Sequence, residues 1–144
     1  MSKSLVFITG ASGFIGSQVV AVTLKAGYRV RLSIRKPEQE AAIRKRYAEY
    51  NNDIEIFLIP DLSNVDALTS ALNGVDYVFH IASPMPGSGT DLQRDYINPA
   101  VAATLSMLNA ALAHKQIQKV IIVSSTVALT PVDALTAKTV VAKG

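Results

Sequence analysis

The stretch Leu5-Val6-Phe7-Ile8-Thr9-Gly10-Ala11-Ser12-Gly13-Phe14-Ile15-Gly16 decides the fold. Its first half, Leu5–Thr9, is apolar without alternation, the pattern of a strand buried on both faces of a parallel sheet. The glycines that follow read as a turn opening directly into a helix. Such a turn aims backbone N–H groups and the positive end of a helix dipole at an anion. Gly10 permits the tight turn, Gly13 lets a pyrophosphate approach the backbone, and Gly16 lets the helix lie close on the strand. The glycines are spaced three and three, not the two and three of the common dinucleotide fingerprint. The stretch reads as the first half of a nucleotide site.

Strand and helix signals alternate from there. A helix is expected over Phe14–Ala26, with Ile15, Val19, Val22 and Ala26 at helical spacing and Gly27 as its stop. Tyr28–Arg35 reads as a strand and Pro37–Tyr50 as a charged helix. Ile54–Pro60 is a third strand, and a short helix over Ser63–Asn73 starts at the cap residue Ser63 and ends before Gly74. Val75–Ile81 is a fourth strand, followed by a Pro/Gly-rich loop over Ser83–Thr90. A long helix is expected from about Asp91 to His114, interrupted near Pro99. Lys119–Ser124 is a fifth strand.

This alternation implies right-handed crossovers and an α/β, doubly wound parallel sheet of Rossmann type, in strand order 3-2-1-4-5. Ligand then binds at the carboxyl ends of the strands, over the switch between strands 1 and 4. Residues 1–127 are expected to form the binding domain and 128–144 an incomplete tail.

Composition agrees with a buried sheet. The chain has 144 residues, 49% of them apolar, and no cysteine; its mean hydropathy is +0.28. The charge-free stretch Tyr96–Ala113 is short and contains Asn98, Pro99, Ser106 and Asn109, so it reads as a central buried helix and not a membrane span. Met1-Ser2-Lys3-Ser4 runs straight into a strand, with no signal peptide visible, and the lack of cysteine excludes a disulfide framework. A cytoplasmic location is expected. The net charge is +3, and seven of the fourteen basic residues fall between Arg29 and Arg46. Glu38 and Glu40 interrupt that cluster and few aromatics stand near it for stacking, so nucleic acid is not the expected partner. No spacing suits a metal.

Chemistry-bearing residues collect at the strand ends. Strand two closes on Arg35-Lys36 with no acid before them. An arginine there accommodates a 2′-phosphate, where an acid would bind a ribose hydroxyl; alternatively both are solvated residues ending a strand. Asp61-Leu62 after strand three either meets an adenine, through its amino group and ring, or only starts a turn. Strand four ends His80-Ile81-Ala82-Ser83-Pro84, small residues past which a ribose and nicotinamide can lie. His80 itself reads as a packed strand histidine. Strand five ends Val123-Ser124-Ser125-Thr126, with hydroxyls able to reach a substrate carbonyl, or placed there for local reasons.

Taken together, Thr9–Gly16, Val30–Arg35, Asp61-Leu62, His80–Pro84 and Val123–Ser125 resemble the extended short-chain dehydrogenase/reductase superfamily. Within it the chain is most similar to dihydroflavonol-reductase-like and fungal methylglyoxal or aldehyde reductase-like ketoreductases. The resemblance covers nearly all of residues 3–127. It implies an NADP(H)-dependent reductase of small-molecule aldehydes or ketones; the alternatives are a non-enzymatic NADP-binding module and a nucleotide-sugar epimerase or dehydratase, the latter disfavoured by Arg35-Lys36 and by His80–Pro84. Gly10, Ala11, Ser12, Gly13, Phe14, Ile15 and Gly16 would hold the pyrophosphate, and Arg35 with Lys36 the 2′-phosphate. Asp61 and Leu62 would hold the adenine, Ile81, Ala82, Ser83, Pro84 and Ser124 the nicotinamide half. Ser125 matches the serine that orients the substrate carbonyl.

One part of the family pattern is missing. A tyrosine with a lysine four residues later serves these enzymes as the proton donor pair, and none of Tyr28, Tyr47, Tyr50, Tyr77 and Tyr96 is followed so. Ala100 stands where many members carry an asparagine. The implied turnover of this chain alone is very weak. Its fifth strand is expected to be an apolar edge open to self-association.

Overall fold

The computed structural model describes residues 3–84 and 89–125. The expected tail over 128–144, Thr126, and part of the loop after the fourth strand lie outside these residues.

Five parallel strands form one sheet in the order β3-β2-β1-β4-β5, as the alternation of the sequence requires. The strands are β1 (Leu5–Thr9), β2 (Arg29–Ile34), β3 (Ile54–Leu58), β4 (Tyr77–His80) and β5 (Lys119–Ile122). Every residue of β1 is buried, because helices cover both its faces. On one face α1 (Phe14–Lys25) and α2 (Glu38–Arg46) close over Val6, Ile8, Val30, Leu32 and Ile34. On the other, α3 (Val65–Ala71) and α4 (Asn98–Leu112) close over Leu5, Phe7 and Val78. Thr9 lies opposite His80 in the β1–β4 register, which brings the glycine turn beside the end of β4.

The rotation of α1 differs from the expected one. Its buried residues are Gly16, Ser17, Val20, Thr23 and Leu24, while Ile15 and Val22 are exposed. Gly16 sets this rotation: a Cβ on it would lie 2.0 Å from the Gly10 carbonyl oxygen, so that glycine must face the strand. Val20, Thr23 and Leu24 follow it on the same side at helical spacing.

Three further boundaries moved for identifiable reasons. The helix expected over Pro37–Tyr50 stops at Arg46 and gives way to a 3₁₀ turn over Ala48–Asp53. Tyr47 leaves helical geometry (φ −117°, ψ 38°) as its buried hydroxyl donates to the Ser17 carbonyl of α1 at 2.7 Å; burial pushes its pKa up. At α3 the cap is Asn64, whose side chain accepts from the Ala67 N–H, because Asp61 has already engaged both the N–H and the hydroxyl of Ser63. Before α4 the chain makes a π-helical turn over Gln93–Ile97. Pro99 has no N–H to give the Asp95 carbonyl, so the ladder changes register there. α4 is half-buried, not central: Ser106, Met107, Ala110 and Ala111 face the core, and Val101, Leu105 and Leu112 face outward. No helix among the described residues is long and apolar enough to cross a membrane.

The basic cluster is dispersed by pairing. Arg29 and Arg31 both bind Glu55 on the adjacent strand, and Arg44 binds Glu40 one helical turn away. Arg31 also lies 4.9 Å over the Phe57 ring and donates to the carbonyls of Ala71 and Asn73 at 2.6 and 2.7 Å. It therefore caps the C-terminus of α3 from across the sheet.

Candidate functional site

The glycine turn owes its shape to steric necessity at two positions. Gly10 has φ +73°, and a Cβ there would stand 2.9 Å from the Ala82 backbone nitrogen. Only glycine lets β1 leave the sheet so close to the end of β4. Gly16 is the second, pressed on the Gly10 carbonyl as described above. Between them Gly13 is the N-cap of α1 and gives no side-chain cap. Its own N–H bonds back to the Gly10 carbonyl at 3.0 Å, and its carbonyl receives the Ser17 N–H at 2.9 Å. The N–H groups of Phe14, Ile15 and Gly16 open the helix and have no intrahelical acceptor. No cap oxygen competes for them, so they can receive an anion together with the helix dipole.

Thr9 ties this turn to β4. Its hydroxyl oxygen accepts from the N–H groups of Ile81 and Ala82, both at 3.1 Å, and lies 3.0 Å from Nδ1 of His80. With both lone pairs occupied, the hydroxyl proton must point at Nδ1, which leaves the imidazole proton on Nε2. His80 is thus held as one neutral tautomer. Burial lowers its pKa, and its Nε2 has no hydrogen-bond partner among the described residues.

Arg35 and Lys36 stand exposed at the end of β2, without an ion pair among the described residues. Asp61 is exposed after β3 and holds Ser63 twice, through the N–H and the hydroxyl, each at 2.8 Å. Those bonds lower its pKa. The turn-starting reading of Asp61 is therefore realised, and two of the carboxylate's roughly four acceptor sites are used in it. Leu62 packs partly into the core beside Phe57. Ile81, Ala82 and Pro84 are half-buried and Ser83 is exposed. Ser124 and Ser125 are exposed beyond β5, after Val123, whose N–H donates to the His80 carbonyl at 3.0 Å. All these positions lie at the carboxyl edge of the one sheet. Ala11 is buried and Ser12 exposed beside it.

Two side chains contribute roles that the sequence does not signal. Thr9 closes the first strand and opens the Thr9–Gly16 motif, but the sequence assigns its hydroxyl no role; the feature that marks it is a hydroxyl placed before the first glycine and in register with a histidine. Gln39 has no signature in the sequence. Its Oε1 accepts from the N–H groups of Arg35 and Lys36 at 2.9 and 3.0 Å, and its Nε2 donates to Ser12 Oγ at 2.8 Å. A cavity of about 400 Å³ lies elsewhere, between α1 and the 3₁₀ turn. A smaller one of about 130 Å³ adjoins Ser12 and Gln39.

Comparison with known proteins agrees with this arrangement. The ketoreductase sphI of Aspergillus fumigatus is 41% identical over 135 residues, which are 94% of this chain and 39% of that protein. Aldehyde reductase 2 of Sporidiobolus salmonicolor is 36% identical over 125 residues, 86% of this chain and 36% of that protein. Among solved structures, the yeast methylglyoxal/isovaleraldehyde reductase complexed with NADPH superposes with a TM-score of 0.80 at 28% identity, over 88% of this chain and 38% of that one. The chain thus spans somewhat under two fifths of the length of these relatives. A family model matches residues 6–140, and with the sheet order, the glycine turn and these relatives it places the chain in the NAD dependent epimerase/dehydratase family.

Proposed function

We propose that this chain is the NADP(H)-binding portion of a carbonyl reductase, which passes hydride from NADPH to an aldehyde or ketone. The observation that carries the reading is the end of β2, where the Arg35 and Lys36 side chains are exposed, without an ion pair among the described residues, beside a glycine-capped helix. The residues fit the coenzyme. The N–H groups of Phe14, Ile15 and Gly16 are open to a pyrophosphate, and the turn that presents them keeps its shape because Gly10 and Gly16 have no Cβ to strike the Ala82 and Gly10 backbone. Arg35 offers a planar fork to a 2′-phosphate and Lys36 a second charge. Asp61 retains acceptor sites for an adenine amino group, and Leu62 offers the ring an apolar contact. Ile81, Ala82, Ser83, Pro84 and Ser124 border the place of the nicotinamide ribose.

When bound, NADPH supplies hydride to the carbonyl carbon. Ser125 hydrogen-bonds the carbonyl oxygen, where negative charge gathers, and so orients the substrate. The oxygen must also gain a proton from a general acid. No tyrosine in this sequence has a lysine four residues on, so the chain alone binds coenzyme and turns over carbonyls very weakly.

Calorimetric titration with NADP⁺ and NAD⁺ tests the assignment. Arg35→Ala is expected to lower NADP⁺ affinity about thirtyfold, the equivalent of about 2 kcal/mol for a charge-assisted hydrogen bond, and to leave NAD⁺ unchanged. Equal affinities for the two coenzymes, indifferent to Arg35→Ala, overturn it. The missing Tyr-x-x-x-Lys favours one second reading, a non-enzymatic NADP-binding module. Tight binding with no NADPH consumption against any aldehyde, even in a longer form of the protein, selects that reading. Among the described residues β5 pairs only with β4; its Ile121 and Ile122, and Val123 just after it, are exposed. Self-association through this edge follows, and a monodisperse monomer in light scattering at high concentration rejects it.

A further inference from the structure

Gln39 is the one residue whose side chain hydrogen-bonds both to the glycine turn and to the turn after β2, among the described residues. Its Oε1 faces two backbone N–H donors, at Arg35 and Lys36. The amide cannot be flipped without setting its NH₂ against those donors. Its Nε2 therefore donates to Ser12 Oγ. The planar amide spans the two turns as a rigid strut, and because Ser12 Oγ acts as acceptor, its own proton is turned away from Gln39. The strut carries no charge, so it holds the two turns together without repelling an anion at either. The cavity of about 130 Å³ that Ser12 and Gln39 share borders the strut on its α2 side.

We infer that Gln39 is a positioning residue for coenzyme choice: it sets the separation of the pyrophosphate-binding turn and the 2′-phosphate-binding turn to the spacing found within a 2′-phosphorylated dinucleotide. The inference rests on the NADP(H) reading given above. Of these two turns, a dinucleotide lacking the 2′-phosphate engages only the glycine turn and has no use for the spacing. NADP⁺ engages both turns, so loosening one against the other weakens NADP⁺ selectively.

The experiment is calorimetric titration of the whole chain with NADP⁺ and NAD⁺, for wild type, Gln39→Met, Ser12→Ala, the double variant and Arg35→Ala. Gln39→Met keeps the length and apolar volume of the side chain and removes its three hydrogen bonds. It is expected to lower NADP⁺ affinity about tenfold, the loss of roughly one net hydrogen bond, with NAD⁺ affinity within about twofold. If the strut acts through Ser12, the double variant is no weaker for NADP⁺ than the weaker single variant. An unchanged NADP⁺/NAD⁺ ratio in Gln39→Met, with Arg35→Ala still shifting that ratio, overturns the strut alone. A ratio unmoved by Arg35→Ala overturns the 2′-phosphate assignment and the strut with it. Equal losses for both coenzymes in Gln39→Met reduce Gln39 to a structural residue and also overturn the inference.

Discussion

Replacing Gly16 by alanine probes the junction of fold and site at a single atom. The added Cβ would sit 2.0 Å from the Gly10 carbonyl oxygen, 2.7 Å from its carbonyl carbon and 3.1 Å from the Ala11 Cα. All three obstructing atoms are backbone, so no rotamer change relieves the overlap. Restoring an ordinary contact of about 3.4 Å requires α1 to withdraw by about 1.4 Å at its first turn. Val20 and Leu24, 0% and 3% exposed on the same face, lose close contact with the sheet as the helix moves. Overpacking of this kind costs about 3 kcal/mol, the upper part of the usual range. For a domain of this size that lowers the melting temperature by about 10 °C. The withdrawal also carries the N–H groups of Phe14, Ile15 and Gly16 out of charge-assisted bonding distance, and NADP⁺ affinity is expected to fall about a hundredfold.

Two neighbours serve as controls for Gly16→Ala. A Cβ at Gly13 meets only the Gly10 oxygen, at 3.3 Å, so Gly13→Ala is tolerated by the fold while narrowing the approach to the turn. Gly27 has φ +88° with nothing within 4 Å of its Cβ; Gly27→Ala costs about 1 kcal/mol of backbone strain and leaves coenzyme affinity alone. Thermal unfolding by circular dichroism and calorimetric titration read both quantities. If Gly16→Ala melts within about 2 °C of wild type and binds NADP⁺ as tightly, the packing argument is wrong.

Other substitutions separate structural from coenzyme-facing roles. Arg31→Lys loses the fork that reaches Glu55, Ala71 and Asn73 together and is expected to cost about 2 kcal/mol, or about 6 °C in melting temperature; NADP⁺ affinity should not move, and a selective loss of it would make Arg31 a phosphate ligand after all. Thr9→Val removes the acceptor for the Ile81 and Ala82 amides and the donor to His80, an expected loss of about 2–3 kcal/mol in urea unfolding, most of which Thr9→Ser restores. Stability also depends on pH through His80. Its folded pKa lies below the ordinary 6.5, so below that pH the unfolded chain takes up the proton first and stability falls, down to the folded value. Above pH 6.5 both states are neutral at this site and it adds no slope. His80→Asn, which keeps an acceptor for Thr9, should flatten the fall; an unaltered slope would mean that another group carries it.

The parts of this structure that the sequence reveals are those decided by neighbours along the chain. Strands and crossovers follow from apolar runs punctuated by Gly27, Gly74 and the Gly10–Gly16 turn, and these suffice for the sheet order. The parts it conceals are decided by competition between equally suitable candidates. α1 carries two apolar faces, and hydrophobicity alone does not choose between Val22 and Val20; the choice belongs to Gly16, through a contact across the turn with Gly10. Ser63 and Asn64 are both good caps, and Asn64 caps α3 because Asp61 already binds Ser63. Arg31 and Arg35 alternate along one strand with the same chemistry. Arg31 is consumed by carbonyls about forty residues away at the end of α3, and Arg35, one step beyond β2, meets no such partner among the described residues. The same logic explains why Gln39 is invisible in sequence: a glutamine in the first turn of a charged helix is ordinary, and only the third dimension shows that its amide has Ser12 on one side and two backbone donors on the other. A site at the ends of parallel strands is assembled from turns that are distant along the chain, so the residues that space those turns carry no local signature even where those that would touch the ligand do.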